Sequence, residues 1–325
     1  MQDGNPMKID NFPIDIVYTW VNDQLPGYKN QLLQYAENEH DTNPNRTRDN
    51  LDLLKYSLRS VEKFVPWIRN IYILTCSPQR PKWLGYTNDR IKIIHHNEII
   101  QDDLLPTFNS FCILSLIHKI QGLSEYFLYI EDDMLFGNHT ELDDFISLTD
   151  EKHMVYPRIS KTMRAEKMGD NTQGPWNLAL AYCNQLLNIS YGERIRSAVN
   201  HVPLMVEKKT WIDMIEKWAD SFDRTRQSRF RSKYNVAPEY LYLYYLLYTG
   251  NAKMNGLHET YKKTFYLGLD NNWLLTAAGL ELLKFMQPKM YCFNDNFGNN
   301  PDVRIVKMTR MFLDDYYPDK SSFEI

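Results

Sequence analysis

The sequence predicts an α/β fold, with a mixed, mostly parallel sheet in its first half and a mainly helical second half. Four apolar runs of strand length precede residue 131, and a helical pattern separates the first run from the second. The succession of strand, helix and strand is typical of a parallel sheet. Beyond about residue 150, apolar residues recur mainly at helical spacing.

The elements of the first half follow from local residue patterns. Residues 14–20 form a β-branched and aromatic run, and residues 51–61 then carry three leucines and a valine at helical spacing. We expect Asp49 or Asn50 to cap this helix. The remaining predicted elements are strands at 68–75, 90–96 and 127–130, and a helix at 108–123 that Gly122 ends.

The second half contains longer helical segments, with a strand near the end of the chain. The predicted helices lie at 176–187, 210–222 and 238–250, and a short strand within 289–298 precedes a last helix within 303–318. Because there is no internal repeat, we expect a single domain over residues 1–325. It is expected to be sheet-rich at 12–150, mainly helical at 151–290, and closed by a strand and a helix at 291–325.

The overall composition excludes some classes of protein. A net charge of -4 and a pI near 6.1 argue against bulk nucleic acid as a partner, because phosphate neutralisation requires a basic face. No apolar run reaches eighteen residues and no signal-peptide pattern opens the sequence, so we expect a cytoplasmic protein. The four cysteines are widely spaced, and we expect them to be reduced and mostly buried.

The acidic cluster Glu131, Asp132 and Asp133 is the main candidate site in the residue pattern. It directly follows the apolar run at 127–130, which places it at the carboxyl end of a buried strand. Carboxylates at such an edge suit Mg²⁺ or Mn²⁺ held against a diphosphate, with Asp132 and Asp133 as the expected ligands. The alternative is a solvated acidic turn that ends a strand.

Three further features carry candidate site residues. Asp15 lies inside the first strand, either at a site or on a solvated face. His201 lies in a predicted loop, where a histidine serves as a base or phosphate donor or has a structural role. The basic run at 224–233 is either a phosphate clamp, in which one or two arginines matter, or a solvated face.

Several of these segments, in this order, resemble the Stealth family. That family includes bacterial capsule polymerases and the N-acetylglucosamine-1-phosphotransferase of animals that modifies lysosomal enzymes. The resembling blocks are IDIVYTWVND at 14–23, the long segment from LKYSLRSVEKF to EDDMLFG at 54–137, HVPLM at 201–205 with RSKYNVAPEYLYLYYLLY at 231–248, and YCFNDNFGNNPD at 291–302. The final MTRMFLDDYYPDKSSFEI is also similar to the family's ending.

The resemblance implies a Rossmann-like, GT-A-like sheet and assigns expected roles to particular residues. The catalytic residues it implies are Asp15, Arg59, Asp133, His201 and Arg231. It implies Trp20, Asn294 and Asp295 as cofactor-binding residues, and Asp132 beside Asp133 at the metal. Glu131 is a departure, because the family often has asparagine there, and metal handling is expected to differ accordingly.

The implied activity is transfer of a hexose 1-phosphate, or N-acetylhexosamine 1-phosphate, from a UDP-sugar to a glycan hydroxyl. This forms a phosphodiester and releases UMP in capsular or exopolysaccharide synthesis. The implied partners are the donor, an oligosaccharide or polysaccharide acceptor, and capsule machinery at the inner face of the cytoplasmic membrane, with which the protein would associate peripherally. The alternatives are a conventional metal-dependent glycosyltransferase that releases UDP, and a glycan-binding protein without activity.

Overall fold

The computed structural model describes residues 12–170 and 172–325. The strands in these ranges are β1 (Ile14–Thr19), β2 (Ile68–Thr75), β3 (Ile91–His95), β4 (Tyr126–Glu131), β5 (Met134–Phe136), β6 (His153–Val155), β7 (Pro157–Lys161), β8 (Ser197–Val199), β9 (Leu204–Glu207), β10 (Ala252–Met254), β11 (Thr264–Leu269) and β12 (Met290–Asp295). The α-helices are α1 (Tyr28–Tyr35), α2 (Leu53–Phe64), α3 (Ser110–Leu114), α4 (Pro175–Tyr191), α5 (Lys208–Lys217), α6 (Ala219–Gln227), α7 (Pro238–Thr249), α8 (Leu257–Lys263), α9 (Trp273–Met286) and α10 (Val303–Tyr316).

A five-stranded sheet forms the centre of the fold, in the order β3-β2-β1-β4-β9. The first four strands are parallel, and β9 runs antiparallel at the edge beside β4. Most residues of β1, β2 and β4 are buried, which explains their nearly continuous apolar sequences. The predicted α/β fold with a mixed, mostly parallel sheet is therefore confirmed.

Helix α2 covers one face of this sheet. Its residues Leu54, Leu58 and Val61 recur at helical spacing and are buried against the sheet core. Truncating Leu58 to alanine would cost about 2–5 kcal/mol, the range for a fully buried leucine. The helix begins at Leu53 after Asp52, so the predicted cap at Asp49 or Asn50 is wrong. Asp49 instead accepts a hydrogen bond from a tryptophan indole, described below.

Two predicted helices are interrupted. The segment 108–123 holds only the short α3 and a separate 3-10 turn at Ile117–Lys119, because the hydroxyl of Ser115 bonds back to the Cys112 carbonyl where the helix stops. The segment 210–222 is divided between α5 and α6 at Trp218, whose backbone leaves the helical region. Trp218 is buried there between Tyr191 and Tyr245.

A second sheet joins the end of the chain to the central region. It has the order β11-β12-β5, with β11 and β12 parallel and β12 antiparallel to β5. The predicted strand within 289–298 and the predicted last helix are confirmed as β12 and α10. Between residues 151 and 290, strands β6 to β11 accompany the predicted helices, and the sequence pattern did not indicate them.

Two further expectations concern the cysteines and membrane segments. All four cysteines are free thiols, and three are buried while Cys76 is partly exposed, as expected. Within residues 12–170 and 172–325, no helix has the length and apolar character needed to span a bilayer.

Candidate active site at the carboxyl edge of the sheet

The acidic cluster lies in the tight connection between β4 and β5. Thr19 at the end of β1 pairs in register with Glu131 at the end of β4, so the cluster lies at the carboxyl edge of the parallel strands. The Phe293 amide of β12 donates to the Asp133 carbonyl at 2.9 Å. On the other side, Ser57 of α2 donates to the Met134 carbonyl at 2.6 Å. These bonds fix the turn and the direction of its carboxylates.

His201 enters the same place from the loop before β9. Because β9 is antiparallel to β4, the residues that precede β9 lie at the carboxyl end of β4. Its Nε2 atom lies 3.4 Å from Oδ1 of Asp133 and 3.6 Å from Oε2 of Glu131. Burial alone would lower the pKa of His201, but the two carboxylates outweigh burial and raise it well above 6.5. The imidazole is therefore protonated at neutral pH when no ion is bound.

Cys292 completes a group of three possible metal ligands. Its thiol donates to Oδ2 of Asp133 at 3.2 Å, and donor atoms of Asp133, His201 and Cys292 all lie within 4.8 Å of one another. Within the described ranges, Oδ1 of Asp133 is buried and makes no hydrogen bond. Burial and the Asp133 charge raise the pKa of the thiol well above its usual 9. The arrangement fits a divalent ion that would replace the thiol proton.

Asp132 does not belong to that group of three. Burial raises its pKa well above 3.8, and the charges of Asp49, Asp133 and Glu131 raise it further. Its neighbour Asp49 has its pKa raised to about 6 by burial, although the indole of Trp20 donates to it at 2.9 Å. Of the two expected metal ligands, the structure brings only Asp133 into contact with His201 and Cys292.

Two cavities meet at the cluster. The first has a volume of about 430 Å³, and the second has a volume of about 250 Å³. Glu131, Arg231 and Asn294 line both, which makes these residues the boundary between them. We call the larger one the aromatic cavity and the smaller one the polar cavity.

The polar cavity is lined by Trp20, Arg46, Arg48, Asp295 and the acidic cluster. The Arg48 guanidinium binds Asp295 with two parallel hydrogen bonds, at 2.8 and 2.9 Å. Burial first and the nearby Arg231 second lower the pKa of Arg46 to about 10, and Arg46 remains charged at neutral pH. The cavity therefore combines an aromatic ring, three guanidinium groups and carboxylates.

The aromatic cavity contains rings and a few polar groups. Its rings are Tyr129, Phe145, Tyr156, Trp176, Tyr240 and Tyr266. The guanidinium of Arg158 lies over the Tyr266 ring, 4.9 Å from its centroid. Glu239 also lines this cavity, from the first turn of α7.

Arg231 is held rigidly at the boundary. Its Nε donates to the Ser110 hydroxyl at 3.0 Å, and its guanidinium lies over Phe111 and Trp176, 4.6 and 5.4 Å from their ring centroids. Burial lowers its pKa, while Glu131 and Glu239 oppose that change. Other arginines of the basic run bind elsewhere: Arg226 donates to Ser115 and Arg229 to the Pro106 carbonyl. One member of that run thus lies at the site.

Two expected site residues lie away from both cavities. Asp15 is at the amino end of β1. It lies four residues before Thr19, the partner of Glu131, and is therefore about 13 Å from that residue along the strand. Its carboxylate is completely buried and binds the guanidinium of Arg69 at 2.6 Å and the Ser124 amide at 2.8 Å. Because Arg69 and backbone amides occupy both its oxygens, Asp15 contacts no other candidate residue.

Arg59 also faces away from the cluster. Its guanidinium binds both oxygens of Glu324 at 2.7 Å, and it donates to the Tyr317 carbonyl at 2.8 Å. These contacts attach the last residues of the chain to α2. Neither Asp15 nor Arg59 is among the residues that line the two cavities.

The structure adds residues that the sequence pattern did not single out. Glu239 has its pKa raised to about 7, by burial first and by Glu131 second, and its Oε2 makes no hydrogen bond within the described part of the chain. In the sequence, Glu239 is distinguished only by its position directly after Pro238, at the start of a helix. Arg46 and Arg48 lie in a loop far from the cluster in sequence, and the sequence predicts only that Cys292 is reduced and buried.

Comparison with known proteins identifies two conserved regions of one family. Stealth protein CR2, conserved region 2, matches residues 46–154, and Stealth protein CR3, conserved region 3, matches residues 200–248. The first contains the acidic cluster, and the second contains His201, Arg231 and Glu239.

Similar proteins occur among curated bacterial sequences and solved structures. An exopolysaccharide phosphotransferase of Streptomyces coelicolor is 33% identical over 96% of this chain and 52% of its own length. The exopolysaccharide phosphotransferase CpsY of Mycobacterium tuberculosis is 32% identical over 96% of this chain and 58% of its own length. The chain thus spans between half and three fifths of these relatives.

Among solved structures, the galactosyltransferase LgtC is 11% identical over 95% of this chain and 97% of its own, with a TM-score of 0.41. Mouse xyloside xylosyltransferase 1 is 9% identical over 90% of this chain and 99% of its own, with a TM-score of 0.40. Both likenesses are too slight to bear on function. The two matched regions, which hold the acidic cluster, His201 and Arg231, show that this chain belongs to the Stealth family.

Proposed function

We propose that this chain transfers a sugar 1-phosphate from a UDP-sugar to a glycan hydroxyl in exopolysaccharide synthesis. The observation that carries the proposal is that the polar cavity, with its three arginines, meets the aromatic cavity at Glu131, Arg231 and Asn294. The names of the Streptomyces and Mycobacterium relatives support the same reaction class. Peripheral association with assembly machinery at the membrane belongs to this proposal.

The proposed reaction has one bond-forming and one bond-breaking event at phosphorus. The acceptor oxygen attacks the phosphorus that carries the sugar, and the bond from that phosphorus to the oxygen bridging it to the nucleoside phosphate breaks. UMP leaves with the bridging oxygen, and the acceptor hydroxyl gives its proton to a base. The product is a phosphodiester that joins the sugar to the glycan.

The polar cavity suits the nucleotide end of the donor. Trp20 presents an aromatic ring, and the charged guanidinium of Arg46 attracts phosphate oxygens. Arg48 holds Asp295 in the wall of the cavity through its two paired bonds. Arg231 lies at the boundary, where charge develops on the transferred phosphoryl group. Because its side chain is already held by Ser110 and two rings, little ordering is needed on binding.

The aromatic cavity suits the acceptor sugar. Tyrosine and tryptophan rings present flat apolar faces with polar edges, which match the faces and hydroxyls of sugars. Glu239 lies in this cavity with a free oxygen and a pKa of about 7, which suits a proton acceptor at neutral pH. We assign the acceptor proton to Glu239, because His201 is protonated or metal-bound and is a poor acceptor in either state.

A divalent ion fits at Asp133, His201 and Cys292. Such an ion would neutralise the negative charge that develops on the departing phosphate. Mg²⁺ and Mn²⁺, the ions expected from the sequence, are the first ions to supply in the assay below.

The test is identification of the nucleotide released. The protein is incubated with a divalent ion, a panel of UDP-sugars and an oligosaccharide acceptor, and the products are separated by chromatography. UMP with a new phosphodiester supports the proposal, whereas UDP would establish a conventional glycosyltransferase. Binding of glycan without any nucleotide release, across the panel and with Mg²⁺, Mn²⁺ and Zn²⁺ each supplied in turn, would favour a binding protein. Arg231→Lys should keep the charge, lose the paired bonds and lower UMP release by at least about tenfold.

A further inference from the structure

Cys292 differs from the other buried cysteines in what its sulfur contacts. The thiols of Cys112 and Cys183 point at backbone carbonyls, at 3.5 and 3.8 Å, as weak donors in a core. The Cys292 thiol points at a carboxylate, Oδ2 of Asp133, and lies within 4.8 Å of the imidazole of His201. Its neighbours are therefore groups that bind metal ions.

The spacing of these donors fits a small ion with tetrahedral ligands. Ligand atoms around tetrahedral Zn²⁺ are about 3.5 Å apart, as bond lengths of about 2.0–2.3 Å require. The structure has 3.4 Å between His201 Nε2 and Asp133 Oδ1, and 3.2 Å between Cys292 Sγ and the other Asp133 oxygen, Oδ2. One donor atom from each of the three residues lies within 4.8 Å of the other two. Three protein ligands with one open position is also the composition of catalytic zinc sites.

The donor chemistry disagrees with a dedicated Mg²⁺ site. Mg²⁺ takes oxygen ligands in near-ideal octahedral geometry, and neither a thiolate nor an imidazole suits it. Sulfur and imidazole ligands favour Zn²⁺ and Co²⁺. Glu131, the remaining carboxylate of the cluster, lies against His201 at 3.6 Å and is not one of the three grouped donors. The oxygen-only set expected from Asp132 and Asp133 is therefore incomplete.

We propose that Cys292 is a metal ligand, and that Asp133, His201 and Cys292 form a site selective for Zn²⁺ or a similar borderline ion over Mg²⁺. The inference depends on the proposed function only for the statement that the bound ion takes part in that reaction. Metal binding itself is measured without turnover, so failure of one proposal is distinguishable from failure of the other.

The direct test uses Co²⁺ as a spectroscopic probe. The full chain is dialysed against a chelator and titrated with CoCl₂ under reducing, oxygen-free conditions. We expect one equivalent to produce the near-ultraviolet charge-transfer band of a thiolate–Co²⁺ bond. Cys292→Ser should lose the band and bind Zn²⁺ at least about tenfold more weakly, since changes outside the ligand shell already cost that much. Cys183→Ser, which alters an equally buried thiol, should keep the band.

A competition in the wild-type protein avoids any dependence on the folding of variants. The band should persist in a large molar excess of Mg²⁺ and disappear on addition of one equivalent of Zn²⁺. The proposal is overturned if Co²⁺ does not bind, if it binds without the band, if Mg²⁺ displaces it at comparable concentration, or if folded Cys292→Ser retains the band.

Discussion

The guanidinium of Arg48 binds the carboxylate of Asp295 through two parallel hydrogen bonds, and this pair connects the loop after α1 to the end of β12. Both side chains are largely buried and line the polar cavity. A further hydrogen bond from Arg48, to the Gly298 carbonyl at 2.9 Å, holds the turn beyond β12. The pair therefore determines the shape of the cavity assigned to the donor.

We predict that Arg48→Lys raises the KM for the UDP-sugar by about tenfold or more, because lysine keeps the charge but cannot form the paired bonds. The measurement is initial-rate kinetics with the donor varied. Arg304→Lys, a change at an exposed arginine on α10, serves as the matched control and should leave KM unchanged. An unaltered KM in Arg48→Lys would separate the polar cavity from donor binding.

Asp15 should act through stability. Replacing it with asparagine leaves Arg69 without its partner, and we expect the free energy of unfolding to fall by about 3 kcal/mol, with partial exposure of Arg69 limiting the loss. Urea denaturation measures the change, and turnover per folded molecule should stay near wild type. Asp223→Asn, at an exposed carboxylate, is the control. Loss of turnover with unchanged stability would instead restore the catalytic role expected from the sequence.

Glu239 should control the acid side of the pH–rate profile. Its pKa of about 7 lies above the usual 4.5, so the carboxylate form that accepts a proton is gained as pH rises through 7. Glu239→Gln should lower kcat by about 100-fold or more and remove that limb of the profile. Glu216→Gln, on the exposed side of α5, should leave both unchanged. An intact acid limb in Glu239→Gln would assign the proton to another group.

His153 should make the protein sensitive to mild acid. It is buried, with Nδ1 3.2 Å from the Met205 carbonyl, and burial lowers its pKa to about 4. The unfolded chain takes up a proton near pH 6.5 while the native state does not, so stability falls as pH drops from 6.5 towards 4. Between pH 7 and 5, the wild type should lose about 2 kcal/mol more than His153→Gln.

Denaturant titrations at the two pH values measure this difference. His258→Gln, which removes an exposed histidine, should follow the wild type. Equal acid sensitivity in the wild type and His153→Gln would show that other groups account for it.

The sequence predicted the four parallel strands of the central sheet, because β1, β2 and β4 are buried on both faces and read as nearly continuous apolar runs. It did not predict the antiparallel edge strand β9. It also placed Glu131 and Asp133 at a strand end, since that conclusion needs only local pattern and the parallel topology. The breaks at Ser115 and Trp218 depend on a side-chain hydrogen bond and on packing with distant tyrosines. Periodicity within one segment does not contain that information.

The sequence predicts the candidate site less well where the role of a residue depends on its burial or on a distant partner. Asp15 and Asp133 both adjoin apolar strand residues in sequence, and only the register shows that one is at the amino end, beside Arg69. Cys292 resembles a core cysteine until β12 is placed against Asp133. Glu239 is an ordinary helix-start residue in sequence, and its altered pKa arises from Glu131, more than one hundred positions away.

Arg231, Glu131 and Asn294 line both cavities, so one set of side chains is in contact with whatever fills either space. A charged ligand in one cavity interacts with the charges of Glu131 and Arg231, and this changes the free energy of binding in the other cavity. Thermodynamic linkage makes that effect mutual, so donor and acceptor alter each other's affinity by the same factor. With the proposed donor in one cavity and the proposed acceptor in the other, this boundary would give heterotropic coupling between them, without a second protein conformation or a distant regulatory site.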